Sequence, residues 1–536
     1  MAGSDSVLEY ASRNFGIDYL YPYQRLVVAN VLDVTEGSGD RTGPERQVVI
    51  LPTGAGKSLC FQLPAALCPG PTVVVYPLLG LMADQFRRLR STDLGAIVLR
   101  GGMTAGERQA AFDAIRSGAA RIVLVNPEML AVRQVLEFLR GAGVFHFVVD
   151  EAHCIPEWGD GFRPAYLLLG EAIKSIGPRV VTAFTATASP PILARIAAVL
   201  FGSEPYRLIA DSPDRPNIRY EVLPALSMRR ALRLAVRTME RPLIVFAPSR
   251  PGVELLAEDL NAAANGPQVR FYHAGLDTEE RAGIEDWFMA SGDGVLCSTC
   301  AYGMGMDKKN IRTVIHYGAP GSVEAYLQES GRAGRDGKLA TALLIRQAAA
   351  ADYGHVDCHV DCHGAGHIAG GTESTAIAKT RAAAMLEYAT GTYGCRRSFL
   401  LGALGAKDSE STACTGCDRC DGTANQRAPG SDAVILMTRR HARRFSKREA
   451  ATFLTGCRGT IEAPLRGALA SWRVDEVEDA LDCALATGMA MTRPAWPWKG
   501  KLAPGTDFSR AGHHRQDHPP IPLLREARLN PCRPSS

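Results

Sequence analysis

Residues 47–60 read QVVILPTGAGKSLC, and residues 145–153 read FHFVVDEAH. The first stretch is an apolar, β-rich run that passes through a Gly-rich turn into a helical pattern. Gly54 and Gly56 let the backbone wrap a phosphate with its N–H groups pointing inward, and the following helix N-terminus adds its dipole. In such a loop Lys57 is expected at the β/γ-phosphates and Ser58 at a magnesium ion. The alternative, a ligand-free turn, is disfavoured by the intact Gly56-Lys57-Ser58 between strand and helix. The second stretch is an apolar strand ending in Asp150-Glu151. An acid at the carboxyl end of a strand expected beside the phosphate-loop strand suits a magnesium partner, with Glu151 placed to polarise water. Four letters alone would fit an exposed turn; paired with the loop they point to nucleotide hydrolysis.

Working outward, the same texture recurs. Apolar runs at 72–76, 121–125 and 180–184 join those at 47–51 and 145–149, separated by helical patterns. After a Pro-bearing stretch, Asp211 to Tyr220, a second series runs through 243–247, 269–272, 295–298, 313–316 and 342–345. Such alternation predicts two parallel-sheet α/β domains, over 1–210 and 211–350. The texture then changes, to a Cys-containing helical module over 351–421 and a basic helical unit over 432–500. A Pro-, Arg- and His-rich tail over 501–536 is expected to be disordered.

The chain has 536 residues, 46% hydrophobic and 22% charged, which excludes global disorder. Net charge is only +4, but residues 432–536 carry 17 Lys+Arg against 11 Asp+Glu, so the basic end suits polyanion contact. No apolar run reaches the ~18 residues of a membrane span. The first ten residues, MAGSDSVLEY, show no secretory pattern. A reducing compartment is expected: cytoplasmic, nucleoid-associated in a bacterium, or nuclear in a eukaryote. There, clustered cysteines among the chain's 14 suggest metal before disulfides. Cys414-x-x-Cys417-x-x-Cys420 lets thiolates face one ion, and Cys395 supplies a fourth ligand for a tetrahedron. Iron–sulfur ligation shares part of this spacing, but the long gap back to Cys395 and the Asp421 that follows favour zinc. His355, His359, His363 and His367 recur every four residues with Cys358 and Cys362 between them. Their repeat would line one helix face, yet clustered His alone is compositional, and a solvated helix is the preferred reading.

These stretches belong to an ordered set of motifs from about Phe15 to Cys420, and the set resembles the RecQ family of superfamily 2 DNA helicases. Phe15-Gly16 and Gln24 look like its adenine-recognition motif. Leu51 to Cys60 is similar to its phosphate loop, with Thr53, Gly54, Gly56, Lys57 and Ser58 at nucleotide-binding positions. Pro77 to Gln85, Thr185 to Ala188, Tyr272 to Leu276 and Tyr302 to Lys308 resemble motifs linking the nucleotide site to DNA. Gln328 to Gly337 resembles the segment that supplies an arginine finger, which implicates Arg335 together with Arg332. Residues 150–166, DEAHCIPEWGDGFRPAY, resemble the aromatic-rich loop, which implies single-strand contact by Trp158, Phe162, Arg163 and Tyr166. Cys395-Arg396-Arg397 matches the start of the family's zinc module. Helices and a hairpin beyond 432 resemble a winged helix, with Ala495 to Lys499 at the hairpin tip.

Tyr21 stands where the family usually has Arg, Glu157 where Gln is usual, and Asp160-Gly161 replace His-Asp. Added negative charge beside a single-strand track weakens electrostatic attraction.

The expected architecture is therefore two tandem RecA-like domains, a zinc-binding helical module and a winged-helix-like unit. The resemblance implies an enzyme that couples ATP hydrolysis, with Mg2+, to 3′-to-5′ movement on single-stranded DNA and to duplex unwinding, in repair or recombination. Zn2+ is the structural metal, and single-stranded, forked or tailed DNA is the partner. Two other readings stay open: an RNA helicase or non-unwinding translocase, and a zinc-dependent DNA-binding protein with a degenerate ATPase.

Overall fold

A computed structural model describes residues 6–36, 45–52, 54–90, 92–159, 163–262, 268–300, 308–349, 372–391, 394–406, 414–424, 427–457 and 463–505. Thr53, Phe162, most of the 302–308 motif and the His355–His367 repeat lie outside the described residues.

The first domain is built on strands β1 (Glu45–Ile50), β2 (Thr72–Val75), β3 (Ala96–Leu99), β4 (Ile122–Val125), β5 (His146–Val149), β6 (Val180–Thr185) and β7 (Arg207–Ala210). They form one parallel sheet in the order β3-β4-β2-β5-β6-β1-β7. Every residue of β2, β4, β5 and β6 is buried. Helices cover both faces, which is why these strands read as unbroken apolar runs. One expectation is corrected: β5 is not the immediate neighbour of β1, because β6 lies between them. The two strands still end on the same side of the sheet, since all pairings are parallel.

The second domain carries β8 (Ile218–Ala225), β9 (Leu243–Phe246), β10 (Val269–Tyr272), β11 (Val295–Ser298), β12 (Thr313–Tyr317) and β13 (Ala340–Gln347). Their order is β10-β11-β9-β12-β13-β8, again parallel throughout. Strand β8 begins inside the stretch read as a linker. It alternates buried and half-buried residues and holds Pro224, as an edge strand can.

That edge is covered by the cysteine turn. Tyr220 N–H donates to Gly416 O at 3.4 Å, Asp418 N–H to Tyr220 O at 3.1 Å, and Val222 N–H to the Asp418 carboxylate at 3.0 Å. Met385, Tyr388, Leu400 and Cys417 share one apolar cluster with Ile218, Tyr220, Tyr326 and Leu344. The module expected as a separate domain over 351–421 thus packs into the second domain's core.

The C-terminal unit has helices Ser431–Arg440, Lys447–Thr455 and Val474–Ala486, then an antiparallel hairpin of β14 (Ala490–Thr492) and β15 (Leu502–Pro504). Its own core includes Val434, Met437, Leu454, Trp472, Val477, Leu481 and Leu502. The tail boundary at 500 is also corrected: β15 belongs to the hairpin, so the folded unit reaches residue 505.

Candidate active site and nucleic-acid interface

The phosphate loop leaves the carboxyl end of β1 and enters the helix Leu59–Leu67. Gly54 and Gly56 sit at φ +89° and +76°, in the left-handed region that a side chain disfavours. At Gly56 a Cβ would also lie 2.6 Å from Gln24 Nε2. Gln24 is buried there: its Nε2 donates to Ala55 O at 3.0 Å and its Oε1 accepts from Tyr21 N–H at 2.9 Å. Tyr21 stacks on Tyr23 with ring centroids 5.4 Å apart, and the Tyr23 hydroxyl donates to Ala55 O at 3.3 Å. Lys57 Nζ rests on Leu51 O at 3.3 Å, above the sheet end.

Asp150 and Glu151 follow β5. Asp150 is 8% exposed and accepts from Glu151 N–H at 2.9 Å. Burial, and then Glu151, push its carboxyl up to about 7, against the pull of Lys57. Burial also pushes Glu151 up, but Lys57, His153, Arg332 and Arg335 together outweigh it and hold that carboxyl below the ordinary range. Two of those four groups, Arg332 and Arg335, come from the other domain. Glu151 adopts φ +49°, a strained backbone for a non-glycine residue, and strain of this kind gathers at active sites. Its carboxylate lies 3.4 Å from His153 Nδ1, which in turn meets Thr185 Oγ1 at 3.2 Å. Thr185 ends β6 beside Ile50 and donates to Thr187 O at 2.9 Å. The intervening strand therefore wires the acids to the phosphate loop.

Arg332 and Arg335 arrive on the turn after the helix Val323–Ser330. Sequence reasoning missed what fixes that turn. Arg215 donates to the carbonyls of Gly331, Ala333 and Gly334 at 2.9–3.1 Å, and Asn217 Nδ2 to Gly334 O at 2.8 Å. Gly334 has φ +56°, and a Cβ there would meet Asn217 Nδ2 at 2.4 Å. Both anchors lie in the Pro-bearing stretch between the sheets, whose polar residues carried no local signal of this role.

The aromatic-rich segment is less open than expected. Tyr166 is 0% exposed and sits in the first domain's core, so it offers no face to a base. Arg163 donates to both oxygens of Glu128 at 2.6 and 2.5 Å and to Pro77 O, and its guanidinium lies over Trp158 and Tyr166. Both residues position the loop. Trp158 is half-buried against the same core. The unusual Glu157 is not a loose negative charge: it accepts from Arg381 at 2.7 Å.

The four cysteine sulfurs Cys395, Cys414, Cys417 and Cys420 all lie within 4.8 Å of one another. Tetrahedral zinc with Zn–S near 2.3 Å implies sulfur separations of about 3.8 Å, so this donor set fits the ion. The arginines after Cys395 face inward. Arg396 bonds Asp418 at 2.5 Å, while Arg397, 1% exposed, bonds Asp214, Arg215 O and Ile218 O.

In the C-terminal unit the hairpin tip projects Trp496, 88% exposed, and Arg443 stacks over Trp498 at 4.8 Å. The third helix turns its acids to the second domain. Arg229 pairs with Asp479 at 2.7 Å, and Arg230 and Arg233 pair with Glu476 at 3.1 and 2.8 Å. With its acidic face so engaged, that helix is poorly placed to enter a DNA groove.

Three segments match known families: DEAD/DEAH box helicase over 21–195, helicase conserved C-terminal domain over 227–337, and RecQ zinc-binding over 361–421. A probable ATP-dependent DNA helicase RecS of Bacillus subtilis is 38% identical over 303 residues, covering 56% of this chain and 60% of the relative. The ATP-dependent DNA helicase RecQ of Pasteurella multocida is 37% identical, covering 57% of this chain and 48% of the relative. The chain thus spans roughly half the length of these relatives. Among solved structures, the helicase MrfA bound to DNA and AMPPNP aligns with TM-score 0.51 at 24% identity, over 65% of this chain and 51% of that one, a likeness of fold. Among the described residues no helix is long and apolar enough to cross a membrane. The order of the three matched segments, the four-cysteine cluster in the third, and the RecS and RecQ relatives together support a RecQ-family superfamily 2 helicase.

Proposed function

We propose that the chain is an ATP-dependent DNA helicase that moves 3′ to 5′ on single-stranded DNA and parts duplexes, in repair or recombination. The observation that carries this reading is the convergence on Glu151 of Lys57 from its own domain and Arg332 and Arg335 from the other. Phosphoryl transfer needs charge neutralised at the γ-phosphate and an oriented water, and little else from a protein. Lys57, Ser58 and the loop N–H groups of Gly54 and Gly56 bind the phosphates, and Thr53 belongs to the same loop. Tyr21 and Tyr23 offer an aromatic face near Gln24. Asp150 holds Mg2+, which when bound neutralises phosphate charge. Glu151 orients the attacking water. Arg332 and Arg335 complete the charge only when the domains are shut, so each turnover is tied to closure and opening.

Trp158, with Arg163 over its ring, and Phe162, which lies outside the described residues, are the residues of the aromatic-rich loop left to stack on bases. Because that loop begins at Asp150-Glu151, strand occupancy reaches the acids directly. Trp496 serves as a wedge at the fork. Zinc on Cys395, Cys414, Cys417 and Cys420 is structural, with no open position implied. A strand-separation assay on 3′-tailed and 5′-tailed duplexes, with and without ATP, tests the reading. Unwinding of the 3′-tailed substrate alone, lost in Lys57→Ala, is expected; unwinding that survives Lys57→Ala contradicts it.

A further inference from the structure

The helix that follows the catalytic acids, Cys154–Trp158, and the helix that precedes the arginine pair, Val323–Ser330, belong to different domains. One guanidinium from a third element holds both. Arg381, on the zinc-module helix Thr372–Thr390, donates to Glu157 at 2.7 Å, Glu324 at 3.2 Å and Ser322 Oγ at 3.0 Å. Glu324 also accepts from Ser189 Oγ of the first domain at 2.5 Å. Glu324 is buried and Arg381 largely so, with side-chain exposures of 7% and 15%, while Glu157 stands at the exposed edge of the cluster with 25%. Solvent screens the buried Glu324 end less than a surface pair, and removing Arg381 takes the shared cation from both carboxylates.

Glu157 lies six residues after Glu151, and Glu324 eight before Arg332. Arg381 thereby bridges the segments that lead to the acids and to the arginine pair. We propose that Arg381 is a positioning residue for ATP turnover, by which the zinc module latches the two α/β domains in the closed arrangement. Glu157, Glu324 and Ser322 are its partners, and Ser189 ties Glu324 to the first domain. The inference rests on the helicase reading for its activity readout, but not for its structural one.

Three variants test it: Arg381→Glu, Glu157→Gln, and the exchanged pair Glu157→Arg with Arg381→Glu. Zinc content and circular dichroism confirm that each is folded. With DNA present, Arg381→Glu is expected to lose kcat at least about tenfold with little change in KM for ATP, Glu157→Gln less, and the exchanged pair to recover part of it, since the carboxylate placed at position 381 still faces Glu324. A residue with only a packing role would not be rescued by exchange. Small-angle scattering without nucleotide gives a second readout, in which Arg381→Glu is larger than wild type and the exchanged pair is not. Unchanged kcat and unchanged size in folded Arg381→Glu overturn the latch, as does failure of the exchanged pair to restore either. If wild type itself hydrolyses no ATP, the helicase reading fails, and the scattering comparison still decides the latch.

Discussion

At the scale of single residues, the site is a set of charges whose worth depends on who faces them. Lys57 pulls both acids down, enough with its neighbours to lower Glu151 but not enough to offset the burial that raises Asp150. Lys57→Ala is expected to cut ATP turnover by about a hundredfold or more. In its proposed role Arg335 supplies charge to the transition state alone, so Arg335→Ala should cost kcat about a thousandfold while KM for ATP changes little. Steady-state kinetics on the two variants separate these effects; comparable losses in KM alone would contradict the assignment. Gly334→Ala is a backbone test: its φ of +56° and the close approach of Asn217 predict a loss of about 1–3 kcal/mol in denaturant unfolding, and displacement of the arginine turn. The glycines, Lys57, the acids and the arginine pair were legible in sequence because each belongs to a short, ordered string. Arg381, Arg215 and Asn217 were not, since their partners lie far away along the chain and no local pattern marks them. Tyr166 and Arg163 show the converse. Their string was legible, but whether an aromatic or a guanidinium faces solvent or core is decided by packing, here by Glu128 and the first domain's core.

Among the elements, the central strands were readable because burial on both faces writes an unbroken apolar run. Edge strands were harder. Strand β7 has one buried residue in four, β8 alternates and carries Pro224, and β15 is three residues with a proline, so none shows that run. The cysteine turn covers β8, which makes zinc a matter of the second domain's stability. Chelation, or Cys417→Ser, is expected to lower the melting temperature of the second domain and the module together, by at least several degrees. Calorimetry that shows the module melting alone, with the rest unmoved, would refute the shared core. The hairpin carries a separate expectation. Trp496→Ala should lower duplex unwinding severalfold, as expected when one stacking contact of about 1–3 kcal/mol is removed, and leave ATP hydrolysis on single strands intact.

For the whole molecule, the account is one of two parallel sheets whose facing ends share a reaction. The first supplies a loop and two acids, the second two arginines, and the zinc module spans them through Arg381 and Glu157. Two tandem α/β domains could be inferred from the alternation of strands and helices; their closed contact could not, because it depends on single side chains such as Ser189 and Glu324. The central claim is that this seam burns ATP when nucleic acid lies across it. Steady-state hydrolysis of ATP, with and without single-stranded DNA, on wild type and on Lys57→Ala and Arg335→Ala, tests it most directly. The account predicts hydrolysis that DNA stimulates and that both substitutions abolish. Hydrolysis absent with every DNA or RNA supplied, or undiminished in the two variants, would contradict it.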